Sequence, residues 1–231
     1  MSQTTSNSLY LQVKPAGAYH CVCDANQDAA SRIVSYLLGQ ETTPLFSLES
    51  IAAWLDGNEP KAREILRHMQ KLQWLQWVSE PQSVKDGKLE DILPGILAPL
   101  SMSEKSLLAD NQGFYIASNG IPHETAEELS ALSADLASLY ERHRGLLNGN
   151  LNRPDNWAIV DAAGFSQLGF WPLHVGNELF FLVVDGMPRF DHPNFMQLVW
   201  VLCSRYAPFV NTSPAIPVSV GSSVSASHNA G

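Results

Sequence analysis

The sequence predicts a mixed α/β fold, with helices dominating the amino-terminal half and five strands in the carboxyl-terminal half. Three observations predict this class. A turn sequence at 110–113 joins two short apolar runs, 107–109 and 114–117, and so indicates a β-hairpin. The stretch 123–147 repeats its apolar residues at intervals of three and four, as one face of a helix does. Three further strand-like runs precede a closing amphipathic helix.

The hairpin turn has a chemical reason. Asp110 opens it, and an aspartate side chain at that position can accept hydrogen bonds from nearby backbone N–H groups. Gly113 closes it, and glycine tolerates the left-handed conformation that tight turns often need. We therefore expect the two flanking strands to pair.

The long helix at 123–147 begins with acidic residues, which complement the positive end of a helix dipole. Its repeating face covers enough of the helix to contact both a sheet and a second protein. The residues on that face are Leu129, Leu132, Leu136, Leu139, Tyr140, His143, Leu146 and Leu147.

Three strands are predicted after the long helix, at 157–162, 167–175 and 178–185, with a Gly176-Asn177 turn between the last two. Pro172 lies within the second of them. A proline has no N–H to donate, so we expect a bulge or break there if that strand is interior. The closing helix begins at Asp191 or His192 and directs Phe195, Leu198, Val199, Leu202 and Tyr206 inward.

Three successive helical patterns occupy 29–38, 48–55 and 60–72 in the amino-terminal half. Ser47 precedes the second as an N-cap, and Pro60 begins the third, where its missing N–H costs nothing. An alternating strand-like run follows at 74–78, and then a polar segment with an Asp86-Gly87 turn. This succession resembles a winged helix-turn-helix.

Four segments follow from these patterns. We expect a partly disordered amino-terminal segment at 1–26, a winged helix-like domain at 27–87, an α/β domain at 88–210 and a disordered tail at 211–231. The first residues and the tail are rich in small and polar residues and lack the apolar groups that a core requires.

The stretches SLLADNQGFYIASNG, HETAEELSALSADLASLY, NWAIVDAAG and ELFFLVVDG resemble the Roadblock/LC7 family over about residues 89–209. The resemblance implies a layered α+β domain with a five-stranded antiparallel sheet, preceded by a helix that packs on the sheet. Pro94, Gly95 and Pro99 interrupt that preceding helix here, so it should be kinked or short.

The same resemblance implies a function without catalysis. Roadblock/LC7 proteins commonly form homodimers that regulate or scaffold small Ras-like GTPases, so a second copy of the chain and a small GTPase are the expected partners. Arginines near the end of the long helix either stabilise that helix end or face a phosphoryl group of the partner. These arginines are Arg142, Arg144 and Arg153.

The family pairs through its third strand and its long helix, and the sequence supplies a physical motive for the same pairing. An apolar run at a sheet edge would expose unpaired backbone and apolar side chains unless a partner covers them. The candidate dimer-interface residues are Trp157 and Ile159 in the strand and Leu132, Leu136, Leu139 and Tyr140 in the helix. A single broad core face on the helix is the alternative interpretation.

DNA is the alternative partner, in a transcriptional regulator whose winged helix reads operator half-sites while the α/β domain dimerises. The candidate contact residues, for DNA or for a protein, are Lys61, Arg63, Arg67 and Lys71 in the third helix. Asp56, Glu59 and Glu64 lie in the same region and oppose phosphate binding. A formal net charge of -9 and a pI near 5.1 further disfavour a protein dedicated to polyanions.

No catalytic constellation is evident, and we predict neither enzyme activity nor a cofactor. A phosphate-binding loop followed by Lys and Ser or Thr is absent, and so is Gly-x-Gly-x-x-Gly. His123 lacks the second histidine of a zinc-protease helix, and Ser166 lacks the following glycine of a nucleophile elbow.

The cysteines predict no metal site. His20, Cys21, Cys23 and Asp24 are close in sequence, but a structural zinc site normally draws two ligand pairs from separate segments. Three cysteines without framework spacing favour a reducing compartment, and we expect a cytoplasmic protein. No secretory signal is visible, and no apolar run approaches the ~20 residues of a membrane helix.

Overall fold

The computed structural model of the protein describes residues 9–55 and 57–208. Its amino-terminal half contains strand β1 (Tyr10–Val13), helices α1 (Pro15–Val22), α2 (Ala29–Leu38), α3 (Leu48–Ala53) and α4 (Glu59–Lys71), and strand β2 (Leu75–Val78). Its carboxyl-terminal half contains α5 (Leu89–Leu97), β3 (Ser106–Asp110), β4 (Tyr115–Asn119), α6 (His123–Arg142), β5 (Trp157–Val160), β6 (Ser166–Val175), β7 (Glu178–Asp185) and α7 (Pro193–Tyr206). All of the predicted disordered tail, 211–231, lies outside the described residues, as do residues 1–8, Asp56 and residues 209–210.

Strands β3 to β7 form one sheet in the order β4-β3-β7-β6-β5, and each neighbouring pair is antiparallel. Helix α6 packs on one face, against β3, β4 and β7, while α5 and α7 pack on the other. The predicted mixture of helix and sheet with five antiparallel strands is therefore confirmed, as is the predicted order of its elements.

The hairpin between β3 and β4 forms as its turn sequence predicts. The Asp110 carboxylate accepts hydrogen bonds from the backbone N–H groups of Gln112 and Phe114, both at 2.9 Å. Gly113 has a φ of 89°, in the left-handed region. A side chain there would also come within 3.2 Å of the Ala131 Cα in α6, so the glycine lets the turn approach the helix.

Helix α6 ends at Arg142, earlier than expected, and a short π-helical segment, Gly145–Asn150, follows it. Small residues form the stripe that faces the sheet: Ala126, Ser130 and Ser133 are buried, and Tyr140 continues the stripe. The two buried hydroxyls donate to the backbone carbonyls one turn earlier, at 2.7 and 2.9 Å, so neither is left unpaired. Small side chains let the helix lie close to the sheet.

The opposite face of the sheet and the amino-terminal half share one continuous core. Helix α1 packs against both α2 and α7, and α2 also contacts α7. The indole N–H of Trp200, a buried residue of α7, donates to the Gln40 carbonyl at 2.7 Å. This side chain therefore joins the two halves by packing. Burial of a large apolar side chain stabilises the fold by about 2 kcal/mol.

Helix α5 is short, as the interrupting prolines predict. It contains Pro94 and gives way to a single 3₁₀ turn, Ala98–Leu100, that holds Pro99. The Asn194 side chain of α7 donates to the carbonyls of Gly95 and Ile96, at 3.1 and 3.2 Å. These bonds tie the end of α5 to α7.

The expectation of a bulge or break at Pro172 is wrong. Strand β6 continues through Pro172, which pairs with Phe181 of β7 without a shift of register. The reason lies on its other side, where β5 pairs with β6 only as far as Phe170. At Pro172, β6 therefore has β7 on one side and, among the described residues, no paired strand on the other, and a missing N–H is tolerated at such an edge position.

In the amino-terminal half, β1 pairs antiparallel with β2. Helices α2, α3 and α4 begin at side-chain caps, because Asp28, Ser47 and Asn58 each accept from a backbone N–H three residues later. Neither β1 nor α1 was expected from the sequence, which placed residues 1–26 in a partly disordered segment. The winged helix-like character of 27–87 stays a prediction.

Candidate protein-interaction site

Strand β5 is an edge of the five-stranded sheet and pairs with β6 alone among the described strands. Its side chains are unusually exposed for a strand of this composition: Ile159 is 57% exposed and Val160 is 54% exposed. Phe165, in the turn that follows, is 57% exposed. An apolar edge with free backbone groups favours addition of another strand.

Leucines of α6 lie on its flank and not on the stripe that faces the sheet. Successive helical residues are about 100° apart, so the row Leu132, Leu136 and Leu139 lies roughly 100° around the helix from the buried small residues. Leu132 is 40% exposed and Leu139 is 38% exposed, while Leu136 is partly buried. This arrangement leaves an apolar row beyond what the sheet itself covers.

The leucine row and the sheet edge lie on the same side of the sheet. Trp157 and Leu136 both pack against the core cluster beneath α6, and Ile159, two residues after Trp157, points to the same face. We call Ile159, Leu132, Leu136, Leu139 and the free backbone edge of β5 the edge surface. It brings together most of the predicted dimer-interface residues.

Two predicted interface residues are placed differently from the rest. Tyr140 is only 6% exposed, and its hydroxyl donates to the Arg153 carbonyl at 3.1 Å, so it belongs to the core and not to the edge surface. Trp157 is partly buried, and its indole N–H is buried with no hydrogen-bond partner in the described part of the chain. Val160 belongs to the apolar run predicted at the sheet edge but was not among the candidate interface residues, and Phe165 was missed, although its apolar character beside a strand edge was a usable signal.

The predicted nucleic-acid contacts are separate from the edge surface. Lys61, Arg63, Arg67 and Lys71 are all exposed on α4. Arg63, Arg67 and Lys71 are spaced by four residues, so they form one ridge on the side of α4 opposite its buried residues. Glu59 and Glu64 are exposed on the same helix and reduce its positive charge.

The amino-terminal group of possible metal ligands is dispersed by the fold. His20 stacks on Trp74 with ring centroids 4.0 Å apart and contacts Asp28 at 3.2 Å. Cys21 is buried, and a hydrogen bond with Cys203, together with burial, raises the pKa of its thiol well above the ordinary value. Over residues 9–55 and 57–208, no three His, Cys, Asp or Glu side chains converge to hold a metal ion.

None of the helices within the described residues has both the length and the apolar character needed to cross a membrane. No protein-family model matches the sequence. No curated protein matches it either. Among solved structures, the chain is similar to Myxococcus xanthus MglB, with 16% sequence identity and a TM-score of 0.28, over 49% of this chain and 89% of that chain.

Proposed function

We propose that the protein is a non-enzymatic, cytoplasmic homodimer that regulates or scaffolds a small Ras-like GTPase. The observation that carries the proposal is the edge surface, where a free strand edge lies beside a half-exposed row of leucines. In the dimer, β5 of each subunit adds to the other's sheet, and the leucine row of α6 packs against its counterpart. Both apolar features lose their contact with water on assembly.

The GTPase partner is proposed from the Roadblock/LC7-like order of elements, namely a helix, a hairpin, a long helix, three strands and a closing helix. The amino-terminal half, with its own exposed helix α4, supplies a second contact surface. We assign no catalytic residue to the protein. Any effect on hydrolysis comes from how the partner is held.

A pull-down tests the partner. The purified protein is presented with small GTPases from the same cell, each loaded with GDP or with a non-hydrolysable GTP analogue. We expect retention that differs between the nucleotide states and falls when Ile159→Lys separates the dimer. If no GTPase is retained in either nucleotide state, the proposed GTPase partner is contradicted. The proposed dimer has its own test, by sedimentation.

A transcriptional regulator is the second candidate, and the ridge of Arg63, Arg67 and Lys71 is the observation that favours it. Cations on one face of a helix can neutralise DNA phosphates. Salt-dependent retardation of DNA, lost in Arg63→Ala/Arg67→Ala and kept in the control Arg142→Ala/Arg144→Ala, would support this candidate. Equal retardation of DNA by the two double variants would contradict the transcriptional-regulator candidate.

A further inference from the structure

A cavity of about 240 Å³ lies where helix α1, the loop before β5 and strand β6 meet. Tyr19 comes from α1, Cys23 and Asp24 follow that helix, Asp155 comes from the loop, and Trp171 comes from β6. Its volume suits a small ligand or a single long side chain more than a large cofactor. The cavity is distinct from the edge surface and serves no step of the proposed function.

The charge of the cavity wall is negative. Two carboxylates, Asp24 and Asp155, line it, and none of its described lining residues is a lysine or arginine. Asp155 Oδ2 lies 3.2 Å from His174 Nε2, and Asp24 Oδ1 accepts from Asn26. The second oxygen of each carboxylate has no hydrogen-bond partner within 9–55 and 57–208. These oxygens can accept from a ligand.

Burial, and after it the nearby negative charges, raises the pKa of two other groups that line the cavity. Burial, followed by the charges of Cys23 and Asp155, raises the pKa of the Tyr19 hydroxyl. Burial, followed by the charge of Asp24, raises the pKa of the Cys23 thiol. Both shifts favour the neutral forms of these groups, so the two carboxylates remain the charges that a ligand meets.

Two aromatic side chains, Tyr19 and Trp171, also line the cavity, and a third aromatic ring holds them in place. The ring of Phe190 stacks on Tyr19 at 5.6 Å and meets Trp171 edge-on at 5.1 Å between centroids. Trp171 also lies over Gly169, where a Cβ atom would come within 2.1 Å of the indole ring. The indole is therefore fixed before any ligand arrives, which lowers the entropic cost of binding.

We propose that this cavity binds an organic cation, namely an ammonium or guanidinium group, between its two carboxylates and its aromatic wall. Carboxylates form charge-assisted hydrogen bonds with such groups. The faces of tryptophan and tyrosine attract cations at distances up to about 6 Å. The cation is either a free small amine or a lysine or arginine side chain of another protein.

Calorimetric titration of the full chain tests the proposal, with agmatine as the free cation and an end-blocked Gly-Arg-Gly peptide as the side-chain source. A neutral alcohol of similar length is the ligand control. Asp155→Asn removes one charge from the cavity, and Glu80→Gln is the matched control on an exposed loop. Trp indole signals in NMR spectra report binding independently, and thermal unfolding shows that each variant is folded.

We expect saturable binding of a cation that weakens about tenfold in Asp155→Asn, stays unchanged in Glu80→Gln and declines with added salt. Binding of agmatine identifies a small-molecule site, and binding of the peptide alone identifies a site for a partner's side chain. If Asp155→Asn does not fold, Asp24→Asn replaces it, since Asp24 is exposed. The proposal is overturned if neither probe binds saturably. It is also overturned if the cavity variant and Glu80→Gln bind the cation with equal affinity.

Discussion

Replacing Ile159 with lysine should separate the proposed dimer without unfolding the subunit. Ile159 is 57% exposed in the isolated chain, so a little over half of its burial energy remains to be gained on assembly. Full burial of an isoleucine contributes about 1.5–3 kcal/mol, which leaves roughly 1–1.5 kcal/mol for each copy. A twofold dimer contains two copies, so the loss is roughly 2–3 kcal/mol.

This loss corresponds to a dimer dissociation constant weaker by about 100-fold, and a lysine at a strand edge adds a further penalty against strand pairing. The free energy of unfolding of the subunit should change by less than about 0.5 kcal/mol, because the side chain is already exposed. Sedimentation equilibrium over a range of concentrations measures the first quantity, and urea denaturation of the monomer measures the second.

Phe114→Lys is the matched control. Phe114 is 67% exposed and precedes β4, at the opposite edge of the same sheet. The control should keep the wild-type dissociation constant. A wild-type chain that sediments at its monomer mass of 25.4 kDa at micromolar concentration, or a larger effect of Phe114→Lys than of Ile159→Lys, would refute the reasoning.

Three other substitutions test local features of the fold, each by urea denaturation. Asp28→Ala should cost about 1 kcal/mol by removing the cap of α2, and Asp28→Asn should cost much less. Burial acts to raise the pKa of Asp28, but hydrogen bonds from Ser31 and the contact with His20 together outweigh burial and lower that pKa. The part of the Asp28 contribution that depends on its charge should therefore be present at neutral pH and be lost as the pH falls through the lowered pKa. Gly169→Ala should cost more than about 2 kcal/mol, because its Cβ would lie 2.1 Å from the ring of Trp171. Ser133→Leu should cost about 1–3 kcal/mol by forcing α6 away from the sheet, and a neutral result would contradict the close packing described for that stripe.

Local chemistry made much of the α/β half predictable. The Asp110-to-Gly113 turn acts through its own side chain and backbone, so its sequence was sufficient to place the hairpin. The capping of α3 by Ser47 is likewise a contact within a few residues. The pairing of β3 with β7 is not local, and nothing in the sequence predicted it.

Features that depend on distant segments were not predictable. Helix α1 carries no strong amphipathic pattern, because it is buried by α2, α7 and the sheet from several sides. A Cβ on its Gly17 would lie 2.6 Å from the Trp74 carbonyl, a contact across more than fifty positions of sequence. The side chains of the acidic cavity come from three such segments, and no spacing rule brings them together.

The leucines of α6 show why a single periodic pattern was ambiguous. The apolar repeat of the helix is compatible with one broad core face, and also with a core face plus an interface. In the structure the core face is narrower than the apolar repeat, because the buried stripe is made of small residues, Ala126, Ser130 and Ser133, while Leu132 and Leu139 stay half exposed. The buried serines satisfy their hydroxyls within their own helix and are not apolar, so they were absent from the apolar repeat. The repeat therefore marked the leucines instead of the stripe that faces the sheet.

The acidic cavity and the edge surface meet in one short segment, since Asp155 lies two residues before Trp157, the first residue of β5. A cation that holds Asp155 also restricts the start of the strand that the dimer would extend. Because coupling between two binding equilibria is reciprocal, a cation that strengthens the dimer must bind the dimer more tightly by the same factor. We therefore expect agmatine to bind wild-type dimer several-fold more tightly than Ile159→Lys monomer, measured by calorimetry well above and well below the dimer dissociation constant. Equal affinities would show that the loop before β5 adopts the same position in both states, and the two sites would then be independent.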